Sequence, residues 1–235
     1  MTNPELIIIV PTRGRPDNVS KVIRAWEETG APEDGAELHF AYDDDDPARE
    51  EYDDAIGQSE GWVSAVILPR WTPMVQKLNK AASWLTGAFA LGFAGDDHLP
   101  RTAGWVARYL AELKRMGTGV VSCPDGYRQD QLPTQWAMTT DIVRALGRMV
   151  PAPVNHLFCD NAVRELAKGA GRYSYLDNVL IEHMHPLAGK GGWDPQYKRV
   201  NARGQWRDDQ AAYEKWLADP AGLGADVMKV RALTS

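Results

Sequence analysis

The sequence predicts an α/β fold, a mostly parallel central sheet with helices on both faces, and three observations carry that prediction. Short apolar runs, with Leu6-Ile7-Ile8-Ile9-Val10 the clearest, read as strands covered on both faces. Amphipathic segments of helical length separate these runs, as parallel connections require. The polar clusters PTRGR, DDDD and GDD each directly follow a predicted strand. They should therefore converge on one edge of the sheet, where open α/β sheets bind their ligands.

The elements follow in order. After the Leu6 to Val10 strand and the PTRGRP loop, Val19, Val22, Ile23 and Trp26 fall on one face of a helix over Asp17 to Glu28, with Asp17 or Asn18 as its N-cap. Glu37 to Tyr42 is the second strand and ends in the acidic loop DDDDP. Val63 to Leu68 is the third strand, and Met74 to Leu85 the next helix. Phe89 to Ala94 forms a fourth strand that runs into Gly95-Asp96-Asp97-His98. Gly104 to Met116 is helical through Trp105, Tyr109, Leu110 and Leu113, and Gly119 to Ser122 is a further short strand. The last third is less regular. Asp160 to Lys168 reads as a helix, Tyr173 to Met184 contains a strand ending in EHMHP, Gly189 to Gly192 is a glycine-rich loop, and Gln205 to Leu217 is a polar helix. No repeat or linker interrupts residues 1–235, which favours one domain.

Composition narrows the function classes. Of the 235 residues, 44% are hydrophobic and 25% charged, the balance of a globular protein with a sizeable core. No apolar run approaches the roughly 20 residues needed to span a bilayer, so no membrane partner is expected. The segment MTNPELIIIVPTRGRP has neither a basic n-region nor a small-residue cleavage site, so its apolar run is a buried strand and not a signal peptide. The two cysteines, Cys123 and Cys159, form no CxxC motif or disulfide framework, which points to a reducing cytoplasm. A formal net charge of −6 argues against gripping nucleic acid by phosphate neutralisation.

Two clusters carry the chemistry. Asp96 and Asp97 adjoin at the end of a buried strand, where they repel each other unless a cation or donor compensates. A hard divalent ion such as Mn²⁺ or Mg²⁺, held against a diphosphate, supplies that compensation; a turn cap is the plainer use of such residues. Alternation along the later strand places His183 and His185 on one side, and with the aspartates they make a mixed O/N ligand set that suits Mn²⁺ more than structural zinc.

The ordered set of PTRGRP, the acidic run after strand two, LNKAA on a helix, GDD, a later Asp before a helix and a strand closing in HxH resembles the GT-A fold glycosyltransferases. The likeness runs from about Ile7 to Pro186 and is nearest to family-2-like enzymes, including small bacteriophage-encoded members. The resemblance implies a Rossmann-like GT-A domain, with residues 1–122 as the nucleotide-sugar-binding half and 123–235 as the acceptor-binding half. Gly95-Asp96-Asp97 matches the DxD-type motif, with glycine in place of the first acidic residue; Asp97 would be the metal ligand and Asp96 a contact to the donor ribose or to metal-bound water. Asp43 and Asp44 match the base- or ribose-binding acidic position. Pro11, Thr12, Arg13 and Arg15 match the first nucleotide-binding loop, and Lys77, Asn79 and Lys80 the helix lining the donor pocket. Asp160 matches the carboxylate that deprotonates the acceptor, His183 and His185 complete the metal site, and Lys190 reaches the diphosphate or closes over the donor.

The expected activity is metal-dependent transfer from a UDP- or other NDP-sugar to an acceptor hydroxyl, with inversion, in the cytoplasm (the host's, for a phage-encoded protein). The acceptors that the resemblance implies are a hydroxymethylated DNA base, a virion protein or a glycan. Trp193, Trp206 and Trp216, interleaved with Lys198, Arg199, Arg203 and Arg207, suit a polymer or a flipped base, and equally an ordinary solvated helix and loop. Nothing in the sequence specifies an oligomeric state. A sugar nucleotidyltransferase and a non-catalytic nucleotide- or carbohydrate-binding module are the competing classes. PTRGRP lacks the GxGTR-like loop of the former, and the presence of Asp97, Asp160 and the histidines argues against the latter.

Overall fold

The computed structural model describes residues 4–59, 61–70, 72–200 and 202–234. The apolar run forms β1 (Leu6–Pro11), which lies mid-sheet between β2 (Ala36–Asp43) and β4 (Ala90–Phe93), parallel to both. The seven-stranded sheet has the order β3-β2-β1-β4-β7-β6-β8, with β3 at Val63–Leu68, β6 at Val120–Ser122, β7 at Trp136–Thr139 and β8 at Tyr173–Tyr175. β7 alone runs antiparallel to its neighbours, so the sheet is mostly parallel, as the sequence predicts. It extends past residue 122, since β7 and β8 come from the later half of the chain.

The period of two in β1 splits the core into layers. Leu6, Ile8 and Val10 pack against α1 (Pro16–Glu28) and α4 (Trp105–Met116), through residues such as Val22, Trp26 and Tyr109. Ile7 and Ile9 face α3 (Met74–Trp84), α5 (Thr140–Leu146) and α6 (Cys159–Ala170) on the other side. Trp216 of α8 (Arg203–Ala218) and Val227 of α9 (Ala225–Ala232) close that second layer. Gly92 in β4 is where the layers leave no room, because a Cβ there would lie 2.7 Å from the Trp136 carbonyl oxygen. The two cysteines are buried and free. No described helix is long and apolar enough to cross a membrane.

Some elements differ from the sequence expectation. Neither Asp17 nor Asn18 caps α1: Pro16 takes the first helical position, moving the cap to Arg15 and Asp17 into the first turn. A helix, α2 (Arg49–Gly57), follows the acidic loop; its only buried side chain is Tyr52, so it has little apolar periodicity to detect. The predicted strand within Tyr173 to Met184 is two strands in different sheets. β8 joins the main sheet, whereas β9 (Ile181–His183) pairs antiparallel with β5 (His98–Pro100) in a separate ribbon. In that ribbon His98 stands directly opposite His183.

Candidate functional site

The carboxyl ends of β1 and β4 open into a cavity of about 420 Å³. Pro11, Thr12, Arg13, Arg15, Lys77, Asp96, Asp97, Asp160, His183 and His185 all line it, so the sequence-predicted residues largely converge.

The floor is the GDDH corner. Asp96 is buried, accepting the Thr12 hydroxyl at 2.7 Å and the Arg15 guanidinium at 2.8 Å. Burial pushes both aspartates upward in pKa. At Asp96 burial outweighs Arg15; at Asp97 the imidazoles of His183 and His98 outweigh burial and hold the carboxyl well below the usual range. Asp97 Oδ1 lies 3.0 Å from His98 Nδ1, and Oδ2 lies 3.3 Å from His183 Nε2. The two imidazoles stack at 4.1 Å between centroids, a consequence of the β5–β9 register. Gly95 is required here, since a Cβ would sit 2.6 Å from Asp97 Oδ1 and 2.7 Å from His98 Nδ1. An acidic residue in its place would collide with its own neighbours.

Asp97, His98 and His183 form the cluster among the described residues that suits a metal ion, each offering a ligand atom within 4.8 Å of the others. One further observation fits a cation. Gly95 N–H points at His98 Nδ1 from 3.0 Å. That nitrogen accepts from Gly95 or donates to Asp97, not both; in the accepting state two lone pairs face each other, a repulsion that a divalent cation removes. One carboxylate and two imidazoles are a mixed O/N set, which a divalent ion such as Mn²⁺ accepts more readily than the oxygen-seeking Mg²⁺. His98 was visible in the GDDH string, but only the strand pairing shows it beside His183. His185 lies beyond the end of β9, where its Nδ1 accepts from Leu187 N–H and its ring stacks on Tyr127. It stands 4.9 Å from the His183 ring, outside the cluster.

A wall of held cations adjoins this corner. Arg13 bonds Asp43 and Asp45 at 2.8 Å each. The Lys77 ammonium pairs with Asp43 at 2.8 Å; burial lowers its pKa and Asp43 opposes that. Arg15 is fixed between Asp96 and Asp194, 2.7 Å from the latter, and lies 4.5 Å from the Tyr197 ring centre. Tyr197, in α7 (Pro195–Val200), donates its hydroxyl to Asp97 Oδ2, so this segment reaches over the corner. Neither Asp194 nor Tyr197 stands out in the sequence, because their partners lie 179 and 100 residues away.

Four expected donor contacts are placed elsewhere. Asp43 does not line the cavity; buried, it is the counter-ion of Arg13 and Lys77. Asp44 is exposed, outside the lining. Its neighbour Asp46 is the structural member of the run, accepting from Gly14 N–H, Ala48 N–H and the Tyr52 hydroxyl. Asn79 points away, its side-chain oxygen accepting from Met149 and Val150 N–H. Lys190 pairs with Glu182 at 2.7 Å and is not in the lining.

Asp160 enters from the first turn of α6, two residues after Phe158, whose backbone is left-handed at φ 65°. Burial pushes its carboxyl up to about 6, against a hydrogen bond from the Cys159 thiol. The preceding loop is anchored by buried Asp209 of α8, whose carboxylate accepts N–H bonds from Asn155, His156 and Leu157 at 2.7, 3.0 and 2.8 Å. Asp125 plays a similar part near His183: one oxygen accepts from Tyr127, Arg128 and Gln129 N–H, while the other lies 3.9 Å from His183 Nδ1.

No protein-family model and no curated protein matches the chain, but solved structures do. Mannosyltransferase PcManGT from Pyrobaculum calidifontis, in complex with GDP-Man and Mn²⁺, aligns with a TM-score of 0.61 at 15% identity, covering 100% of this chain and 77% of that one. Residues 1–349 of S. aureus TarS align at a TM-score of 0.59 and 10% identity, covering 76% of this chain and 60% of that one. With UDP-GlcNAc bound, the same TarS fragment gives 0.59 and 12%, covering 92% and 74%. The chain spans 44% of the longer TarS structure. At these identities the likeness establishes the fold alone: the chain has a GT-A-type α/β architecture.

The Asp209 anchor makes a testable case. In Asp209→Asn an amide nitrogen replaces one acceptor oxygen, orphaning at least one backbone N–H at a cost of about 1–3 kcal/mol. The expected result is a lower melting temperature with faster amide hydrogen exchange at 155–157. Wild-type values for both would show that the contact carries no weight.

Proposed function

We propose that the protein is a glycosyltransferase that moves a sugar from a nucleoside-diphosphate sugar to an acceptor hydroxyl, with inversion at the anomeric carbon. One observation carries this reading. A single cavity joins a cluster suited to a divalent cation, a wall of oriented cations, and a separate carboxylate, Asp160, whose pKa is pushed to about 6.

Asp97, His98 and His183 would hold Mn²⁺ or Mg²⁺, which when bound neutralises charge on the departing nucleoside diphosphate. Arg13, Arg15 and Lys77 act on the same charge. Their aspartate partners fix them before substrate arrives, so little reorganisation is needed as charge builds up in the transition state. The Thr12 hydroxyl and Arg15 hold Asp96 in place at the cavity floor.

Asp160 accepts the proton of the acceptor hydroxyl. An ordinary aspartate is a weak base at neutral pH; burial makes this one more basic while leaving it mostly ionised at pH 7. A lone base activating the acceptor oxygen for direct displacement gives inversion. Bound GDP-Man and UDP-GlcNAc in the structural neighbours support a nucleotide-sugar donor.

Two results test the reading. Asp97→Asn conserves shape but weakens the cation cluster, and should lower nucleoside-diphosphate release from a nucleotide sugar with Mn²⁺ by about a hundredfold or more, with an unchanged circular dichroism spectrum. Near-wild-type turnover in that variant would remove the metal assignment. The pH dependence has a definite sign. Asp160 works ionised, so kcat/KM should be full above its pKa and fall as pH drops through about 6. An acid limb near the ordinary aspartate value, or the same limb retained in Asp160→Asn, would count against Asp160 as the base.

A further inference from the structure

The cavity holds a second group of side chains that donor binding leaves without a role. Leu132, Leu157, Phe158, Val200 and Trp206 line it together with Asp160 and Asn161. Trp206, on α8, lines the cavity and is 46% exposed. Phe158 backs it, with ring centroids 5.9 Å apart and planes tilted by 55°, and itself stacks on Tyr213 at 5.4 Å and 20°. The Phe158 backbone is left-handed, which disfavours a bulky aromatic and persists only where the surroundings impose it. Asp209 imposes it from one side by pinning residues 155–157, and the α8 aromatics from the other. The result is an aromatic shelf two residues from Asp160, continuous with its cavity.

We propose that Trp206, supported by Phe158, is the platform on which the acceptor rests, and that the acceptor presents a sugar ring; this rests on the glycosyltransferase reading above. A pyranose matches the shelf chemically. Its C–H faces are apolar and lie flat on an indole, while its hydroxyls project from the rim. One hydroxyl can then meet Asp160, and others the side chains of Asn161 and Gln196, which also line the cavity and both donate and accept. A nucleobase would stack as well, but an unmodified base has no hydroxyl to offer Asp160. The net charge of −6 also disfavours a polynucleotide held by its phosphates.

Direct binding tests this. Wild-type protein and the Trp206→Phe and Trp206→Ala variants are titrated by intrinsic fluorescence with methyl glycosides of glucose, galactose, mannose and N-acetylglucosamine. Parallel titrations use a single-stranded oligonucleotide with and without 5-hydroxymethylcytosine. The expected result is quenching by at least one glycoside, an affinity about tenfold weaker in Trp206→Ala, and partial retention in Trp206→Phe. Trp206 is half-exposed, so all three proteins should share one melting temperature, and a shifted one marks a folding effect that Trp206→Phe then bypasses. No glycoside binding in the wild type, equal affinity in Trp206→Ala, or Trp206-dependent binding of the hydroxymethylated oligonucleotide alone would overturn the proposal. Failure of the underlying reading looks different: wild-type protein with Mn²⁺ would then release no nucleoside diphosphate from any nucleotide sugar.

Discussion

The pairing of β5 with β9 is the constraint on which the site depends. These strands lie 85 residues apart at the His98–His183 register, and each is only three residues long. Their antiparallel contact carries a histidine from the later part of the chain to the end of β4. Two backbone bonds fasten it there: Met184 N–H donates to the Asp97 carbonyl, and His183 N–H to the Asp125 carbonyl. A slip of one residue would turn the His183 side chain to the other face and leave Asp97 and His98 without their third partner. Gly95 belongs to the same device, because the corner closes only where no Cβ intervenes.

Around this corner the charges are arranged in pairs. Arg13, Arg15 and Lys77 are each held by a buried or half-buried aspartate, which fixes their heads in place against their mutual repulsion. Burying so many charges is costly unless they are paired and hydrogen-bonded, and here they are. Asp160 differs in its partners: burial raises both it and Asp96 to about 6, but Asp96 is bonded to the Arg15 guanidinium, whereas Asp160 has no cation bonded to it. One fold thus sets two kinds of carboxylate side by side, those that position cations and one, Asp160, that the proposed reading uses as a base.

Much of this was legible in the sequence. The β-branched run at Leu6 to Val10 and the strand-end positions of PTRGR and GDD fix the sheet and the cavity floor, because period and strand-end placement are local signals. The structure places residues away from their expected positions where partners are remote or geometry decides. DDDD reads as one acidic cluster, yet Asp43 neutralises Arg13 and Lys77, Asp44 is exposed and Asp46 caps the loop; only tertiary contacts separate them. Asn79 and Lys190 suit a donor pocket by residue type, but helix rotation aims the first at Met149 and a nearby carboxylate captures the second. His98, Asp194 and Tyr197 gain their roles from strand pairing and from α7 reaching over the corner, which no local spacing encodes.

The central claim is that this cavity binds a nucleotide sugar together with a divalent cation, and a thermal-stability screen of UDP-, GDP- and TDP-sugars with Mn²⁺ or EDTA tests it most directly. At a ligand concentration near 100 times its Kd, the account predicts that at least one nucleotide sugar raises the melting temperature by about 5–10 °C with Mn²⁺, and by much less with EDTA. No stabilisation by any of them, or equal stabilisation with and without metal, would contradict it.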